Sequence, residues 1–437
     1  MTWKTWPEKP AERVEFLARI IPENQNEFIQ NVVHIAEKLG YRVYIVGGFV
    51  RDTILGLPAS DLDIVVEGDA SILAEEYKNH HGGIVIHHKR FMTTSLILPL
   101  KNNNIALNAH DIVSARSEVY ERPGALPIVK RGTIHDDIRR RDFTINTLAI
   151  SLNRINYGEL LNESNGIEDL EKGIVRILHY KSFLDDPTRI FRAARYAVRF
   201  NFIIEKNTQK EIASGSNRLS EVSGQRIRNE INLIMNEENP SQALSMLENW
   251  GILKKIHPGI SSKKSYIHQK KIGRISPSAD GEIINWTLWL MHLEQEIIRE
   301  INMRLHFTKY VMESLISASK IIRSMDTYLG ISPSVLVNKL EAYPLSAINA
   351  IICILPDGKI NDTFHEYIDT WRHIKPKISG NTLRKSGIPP GPAYRTILGK
   401  IKDALVDGKI KTANEERILL EKLISEINEN NCSKKNS

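Results

Sequence analysis

The 437-residue sequence predicts an α+β protein, with a head of mixed β-sheet and helices followed by a long stretch that is helical throughout. Short strand-like runs rich in β-branched residues crowd into its first part, at 42–46, 61–66, 84–86, 93–98 and, more weakly, 105–112. Beyond about residue 180 such runs nearly vanish, and apolar positions recur at three- and four-residue spacing instead. Helical segments sit at the start and end of the strand region and do not alternate strictly with strands, which argues for a mixed sheet over a doubly wound one.

Residues 11–39 place Val14, Leu17 and Ile20, then Ile29, Val32, Val33, Ile35 and Leu39, at helical spacing, so helices lead into the first strand. Asp69 is a cap for a helix through about Tyr77, and Gly82-Gly83 then punctuate before two consecutive strands. The stretch from Val113 to Asp136 carries Pro123-Gly124 and Pro127 and reads as an irregular segment, a length that is uncommon in a compact domain unless it is functional. An apolar helix is expected at 144–151. Residues 186–202 form another, capped by Asp185 or Asp186 with Pro187 at its first position. Ser223 opens a helix ending near Asn236, and 240–375 is helical with breaks at 257–262 and 275–281. A Pro-Gly-Pro turn at 390–392 starts a basic helix, Thr412 caps a last one, and the polar tail from Asn428 is expected to be disordered.

Length points to two to four domains. Hydrophobic content of 41% and charged content of 25% are those of a globular protein, and a formal charge of +7 suits a polyanionic partner. Cys353 and Cys432 are too few for a disulfide framework or a zinc site. No apolar run reaches the ~18 residues of a membrane span and the N-terminus lacks a signal pattern, so the expectation is a cytoplasmic protein.

The chemistry concentrates in Val43–Val66. An apolar strand meets Gly47-Gly48, a short amphipathic segment follows, and a second strand carries Asp61 and Asp63. Residues two apart on a strand share a face, so the two carboxylates stand side by side, flanked by core-facing Leu62 and Ile64. Two like charges beside a buried strand call for a cation, most simply a divalent metal. Glycines between strand and helix let backbone approach phosphate oxygens at the helix N-terminus, with Arg51 one turn on. Together these residues read as a nucleotide site with metal-held phosphates. Arg139, Arg140 and Arg141, set against Phe143 and Ile145, aim cations at a phosphate or base. Arg189, Arg192 and Arg195, with Arg199 one turn on, make one cationic stripe. His80, His81, His87 and His88 lack ligand spacing and read as surface residues.

The ordered set VGGFVRDTILG, SDLDIVVEG, RRDFTIN, DDPTRIFRAARYAVRF and SGQRIRNE resembles the class II tRNA nucleotidyltransferase and poly(A) polymerase family over nearly the whole chain. The C-terminal SGIPPGP region is similar to the tail of bacterial CCA-adding members. The resemblance implies a polymerase-β-like nucleotidyltransferase head at 1–178, a base-selecting neck at 179–250, a helical body at 251–375 and a tRNA-binding tail at 376–437. It implies untemplated addition of C, C and A from CTP and ATP to the tRNA 3′ end, with release of pyrophosphate. Asp61 and Asp63 would hold two Mg²⁺ ions for in-line attack by the 3′-hydroxyl on the α-phosphorus, and Asp111 is either a third carboxylate on a neighbouring strand or a strand-end turn residue. Gly47, Gly48 and Arg51 would contact phosphates; Arg141, Asp142 and Asn146 would handle the ribose. Asp186 and Arg189 would pair with the base, and Arg192 and Arg195 would add to the nucleotide site.

A carboxylate accepting from an exocyclic amine, beside a guanidinium donating to a ring nitrogen, fits cytosine and adenine. Guanine and uracil present the reverse pattern, leaving buried groups unpaired at roughly 1–3 kcal/mol each. Four departures from the family pattern stand out: Asp185 in place of Glu, Gln225 in place of Glu, Leu161-Asn162-Glu163 in place of Asp-Pro before Gly166, and RSEVYERPGALP after Ala115. That last stretch resembles a subgroup with members adding only CC or only A. Poly(A) polymerase is the rival within the class, and an RNA-binding protein with an inactive head the rival outside it.

Overall fold

Burial decides the centre of the sheet. After α1 (Pro10–Ile20) and α2 (Glu23–Lys38), strand β1 (Arg42–Val46) buries four of its five residues, with Val43 and Ile45 on one face and Tyr44 and Val46 on the other. The structure, a computed structural model, describes residues 6–58, 62–98, 108–121, 124, 126–263 and 281–433. It divides into two units, Met1–Pro258 and Gly259–Ser437.

In the first unit β1 is followed by α3 (Gly48–Leu55), which Gly56 ends in the left-handed region. Next come β2 (Ile64–Glu67), α4 (Ala70–His81), β3 (Ile84–His88), β4 (Thr93–Leu98) and β5 (Asn108–Ser114). Asp69 caps α4 by accepting from Ser71 N at 2.9 Å. The remaining strands and helices are β6 (Arg116–Val119), β7 (Ile128–Arg131), α5 (Ile134–Arg139), β8 (Ala149–Ser151), β9 (Leu160–Leu161) and α6 (Gly166–Lys172). The seven-stranded sheet has the order β3-β4-β5-β2-β1-β8-β9; β2 and β5 pair in parallel and the other neighbours antiparallel. It is a mixed sheet, as the sequence implies. Tyr44, Val46, Val65 and Ala149 pack under Ile134 and Ile138 of α5, which closes one face.

Several local expectations change. The strand after the Gly-Gly helix begins at Ile64, so Asp63 stands just before it rather than within it, and Asp61 lies outside the described residues. The segment 113–136 is not irregular throughout: β6 and β7 pair from Arg116↔Arg131 to Val119↔Ile128, and the Pro-Gly signals fall between them. With Val119 and Ile128 both exposed, this hairpin lacks the alternation that marks a half-buried strand. At 144–151 the expected helix is a single 3-10 turn (Thr144–Asn146) and then β8, which pairs with β1 through Val46↔Ala149 and Tyr44↔Ser151. Ala149, Ile150 and Ser151 are all fully buried, and a short continuous apolar run does not distinguish buried strand from buried helix.

The chain goes on through β10 (Ile174–Val175), α7 (Ser182–Asp185), α8 (Arg189–Arg199), β11 (Ile203–Ile204), α9 (Lys206–Ser216), α10 (Gly224–Met235), α11 (Pro240–Asn249) and α12 (Ile252–Ile256). Asp185 belongs to α7, and Pro187 lies in the turn after it. Asp186 Oδ1 accepts there from Thr188 N at 3.1 Å and Thr188 Oγ1 at 2.7 Å, so α8 starts two residues later than expected. Before α6, Asn162 Oδ1 accepts from Gly166 N at 2.7 Å, an anchor where the family pattern has Asp-Pro.

The second unit is helical: α13 (Gly281–Leu290), α14 (Gln295–Leu305), α15 (Lys309–Arg323), α16 (Pro333–Leu340), α17 (Leu345–Ile354), α18 (Lys359–Asp369), α19 (Gly380–Lys385), α20 (Pro392–Val406) and α21 (Ala413–Ser433). Trp286 and Trp289 are fully buried with ring centroids 5.4 Å apart, and Ile378, Leu383, Ile397, Ile401, Leu420 and Leu423 form a separate small core. Helix α21 runs to Ser433, so 428–433 are not the disordered tail expected. Among the described residues no helix is long and apolar enough to cross a membrane.

Candidate active site

The first unit holds a cleft of about 720 Å³ whose lining gathers most of the predicted residues. Gly48, Arg51, Asp63, Arg141, Asp142, Asn146, Asp186, Arg189, Arg192 and Arg195 all contribute. Among the described residues nine arginines and four carboxylates line it, a strongly cationic balance.

Gly47 ends β1 with φ +69°, and a Cβ there would lie 2.5 Å from Arg141 Nη1. What approaches this glycine is therefore the guanidinium of Arg141, which also donates from Nη2 to Asp137 Oδ2 at 2.9 Å. Asp137 is fully buried. Burial pushes its carboxyl up, but Arg141 and Arg140 outweigh burial and hold it below the ordinary range.

Arg51 is buried and already engaged: Nε donates to Asp52 Oδ1 at 2.7 Å and Nη1 to Asn146 Oδ1 at 2.6 Å, with Phe200 4.6 Å beneath the guanidinium. Asn146 passes the chain on, donating from Nδ2 to Asp142 Oδ1 at 2.9 Å. Arg192 Nη2 lies 2.7 Å from Asp142 Oδ2. Burial alone would raise the Asp142 carboxyl; Arg192 and Asn146 reverse that and keep it ionised below the usual carboxylate range. RRDFTIN thus joins α3 to α8 through hydrogen bonds from Arg51 to Asn146 and from Asn146 to Asp142, closed by the Asp142–Arg192 ion pair.

Of the cationic stripe of α8, Arg189 and Arg195 are buried, Arg192 is partly buried and Arg199 is exposed. Arg189 is 6% exposed, donating from Nη1 to Ser182 Oγ at 2.7 Å and from Nη2 to the Arg140 carbonyl at 2.8 Å. Arg195 is buried over Tyr196, and its Nη1 lies 3.6 Å from Glu237. Asp186 carries Arg226 Nη2 at 2.8 Å from both of its carboxylate oxygens.

Asp63 lines the cleft at the start of β2. Ile64 pairs with Ile112 in the parallel β2–β5 register, so Asp63 and Asp111 occupy matching positions one residue earlier, and strand alternation turns both toward the face of Val65 and Val113. Asp111 is exposed and accepts from Ser95 Oγ at 2.5 Å. Hard carboxylate oxygens on adjacent strands suit a divalent cation. Among the described residues no group of three or more His, Cys, Asp or Glu side chains is gathered for a metal. The four histidines are surface residues: His87 meets Glu75 at 3.0 Å and His88 meets Ser95 at 3.3 Å.

Sequence reasoning passed over Glu118, Tyr120 and Arg226, which also line the cleft. Glu118 gathers Arg116, Arg140 and the Tyr120 hydroxyl within 3.1 Å, and burial together with that carboxylate pushes the Tyr120 phenol up. The signal for Arg226 was present in SGQRIRNE, but its partner is 40 residues away.

Residues 43–176 match the poly A polymerase head domain, and residues 201–264 match a probable RNA and SrmB-binding site of polymerase A. The A-adding tRNA nucleotidyltransferase of Geobacter sulfurreducens is 30% identical, over 94% of this chain and 48% of its own length. The chain thus spans about half of that relative. The A-adding tRNA nucleotidyltransferase of Halalkalibacterium halodurans is 29% identical over 88% of this chain and 89% of its own. The Thermotoga maritima CCA-adding enzyme complexed with tRNA superposes with a TM-score of 0.71 at 28% identity, covering 95% of this chain and 98% of the other.

Proposed function

The chain belongs to the class II tRNA nucleotidyltransferase and poly(A) polymerase family, and from that premise we propose that it extends the 3′ end of tRNA with nucleotides of the CCA end, drawn from CTP and ATP. The observation that supports this most is a shared cleft: Asp63, suited to the chemistry, and Asp186 with Arg189, suited to an amine beside a ring nitrogen, line the same cavity.

In this reading Asp61 and Asp63 hold two Mg²⁺ ions, with Asp111 alongside, and the ions supply Lewis acidity toward the 3′-hydroxyl and the triphosphate. Gly48 and Arg141 face the phosphates, with Arg51 supporting them from beneath. Asp142 and Asn146 set the ribose position, and Arg192 holds Asp142. Asp186 accepts from the exocyclic amine of the base and Arg189 donates to its ring nitrogen. The head is 1–178 and the base-selecting neck 179–250, while the body (251–375) and tail (376–437) grip the acceptor stem and elbow.

A second reading, addition of A alone, is favoured by the likeness to the A-adding tRNA nucleotidyltransferases of Geobacter sulfurreducens and Halalkalibacterium halodurans. One assay separates the readings. The protein is incubated with tRNAs ending at the discriminator base, at C and at CC, with labelled CTP or ATP alone. A full CCA-adding enzyme takes CTP on the first two and one ATP on the third. An A-adding enzyme labels only the third, a CC-adding enzyme only the first two, and a poly(A) polymerase extends past one A. No labelling of any tRNA end contradicts the proposal.

A further inference from the structure

We propose that Arg226, at the start of α10, is the positioning residue that aims the Asp186 carboxylate at the incoming base. This rests on the reading of Asp186 as base selector given above. Asp186 Oδ1 is crowded, accepting from Thr188 N, Thr188 Oγ1 and Arg226 Nη2, whereas among the described residues Oδ2 accepts from Arg226 Nη2 alone, at 2.8 Å. A carboxylate offers about four acceptor positions, so Oδ2 is the oxygen with room for a base amine.

The carboxylate torsion is broad and roughly two-fold by itself. Thr188 holds Oδ1 through two contacts and Arg226 Nη2 lies 2.8 Å from both oxygens, so the two residues together fix the plane. The guanidinium is in turn fixed at its other arm, where Nη1 donates to the Gly124 carbonyl at 3.0 Å. Its backbone is fixed as well, since Ser223 caps α10 by accepting from Arg226 N. The neighbouring selector, Arg189, is held separately by Ser182 and the Arg140 carbonyl. Two fixed planes, one acceptor and one donor, are what distinguish cytosine and adenine from uracil and guanine. Lysine cannot replace this arrangement, because a point charge does not offer two directed arms.

The test compares Arg226→Gln and Arg226→Lys with Asp186→Ala in the full chain. The kcat and KM are measured for ATP against GTP on tRNA ending in CC and for CTP against UTP on tRNA ending in C, alongside tRNA binding and thermal melting. Arg226→Gln is expected to lower the ratio of correct to incorrect kcat/KM by about 10-fold or more, chiefly through KM. tRNA binding stays unchanged, and Arg226→Lys falls between Gln and wild type. Equal loss for all four nucleotides, or an unchanged ratio, overturns the proposal. If Arg226→Gln does not fold, Arg226→Lys carries the test, and a wild-type ratio in it overturns the proposal. Asp186→Ala separates the two levels. If it leaves the ratio intact, the base-selector reading is wrong; if it collapses the ratio while the Arg226 variants keep it, only the role of Arg226 is wrong.

Discussion

The sheet side of the cleft and its helical side are held in different ways. On the sheet side, Asp63 stands exposed just before β2, while exposed Asp111, one residue before the parallel β2–β5 pairing begins, is not among the residues lining the cleft. On the helical side, Arg189 and Arg195 are buried and Arg192 sits 2.7 Å from Asp142. The sheet side offers hard oxygens that a cation can gather. The helical side has its cations and acceptors fixed against one another in the folded chain, so that in the proposed reading little ordering cost remains for base recognition. Chemistry and selection therefore respond differently to mutation.

The largest effect is expected on the sheet side. Asp63→Ala should reduce nucleotide transfer on the order of 10³-fold or more, with little change in melting temperature, because charge stabilisation by a bound ion is worth several kcal/mol and the carboxylate is no part of the core. Initial rates and circular dichroism check both halves; a variant that transfers normally would place the chemistry elsewhere.

On the helical side the same kind of change should cost stability. Asp142→Asn leaves the Arg192 guanidinium without its ionised partner, and a loss of about 2–3 kcal/mol in urea unfolding is expected. That is below the full cost of a broken buried pair, since the Arg192 side chain retains 37% exposure. If Asp142→Asn is as stable as wild type, the helical side is not held by this pair.

Acid should weaken the helical side in the same sense. Asp137 and Asp142 both titrate lower in the folded chain than unfolded, so their contribution is complete above the unfolded value of about 3.9 and is lost as pH falls through the folded values. Melting temperatures between pH 6 and pH 3 should fall most steeply below pH 4 in wild type, and less steeply in Asp142→Asn.

Glu230 has the opposite sign and the smallest effect. Its Oε2 is buried without a hydrogen-bond partner, and burial raises its carboxyl despite Arg192 and Arg195. A raised folded value contributes stability at low pH that is lost as pH rises. Glu230→Gln should therefore raise the melting temperature by about 1–3 °C at pH 8, and the gain should vanish near pH 4.

Much of this arrangement was legible in the sequence because it is local. The Gly47-Gly48 turn, the Asp69 and Ser223 caps and the stripe of α8 each depend on residues within one or two turns of each other. The misread elements depend on distant partners. Ala149–Ser151 is a strand because β1 lies beside it, and its own apolar run does not say so. Arg226 is informative only once Asp186 is folded against it. At Gly47 the sequence implies backbone close to phosphate oxygens, whereas the neighbour that the fold brings against this glycine is Arg141, 94 residues on, which no local pattern indicates.

In the proposed reading one cleft joins the chemistry of Asp63 to base choice by Asp186. The most direct measurement is the kcat/KM of Asp186→Ala for CTP, ATP, GTP and UTP, together with its tRNA dissociation constant. Preference for C and A should collapse while tRNA affinity stays at the wild-type value. Parallel loss of tRNA binding and of transfer from every nucleotide would contradict the claim.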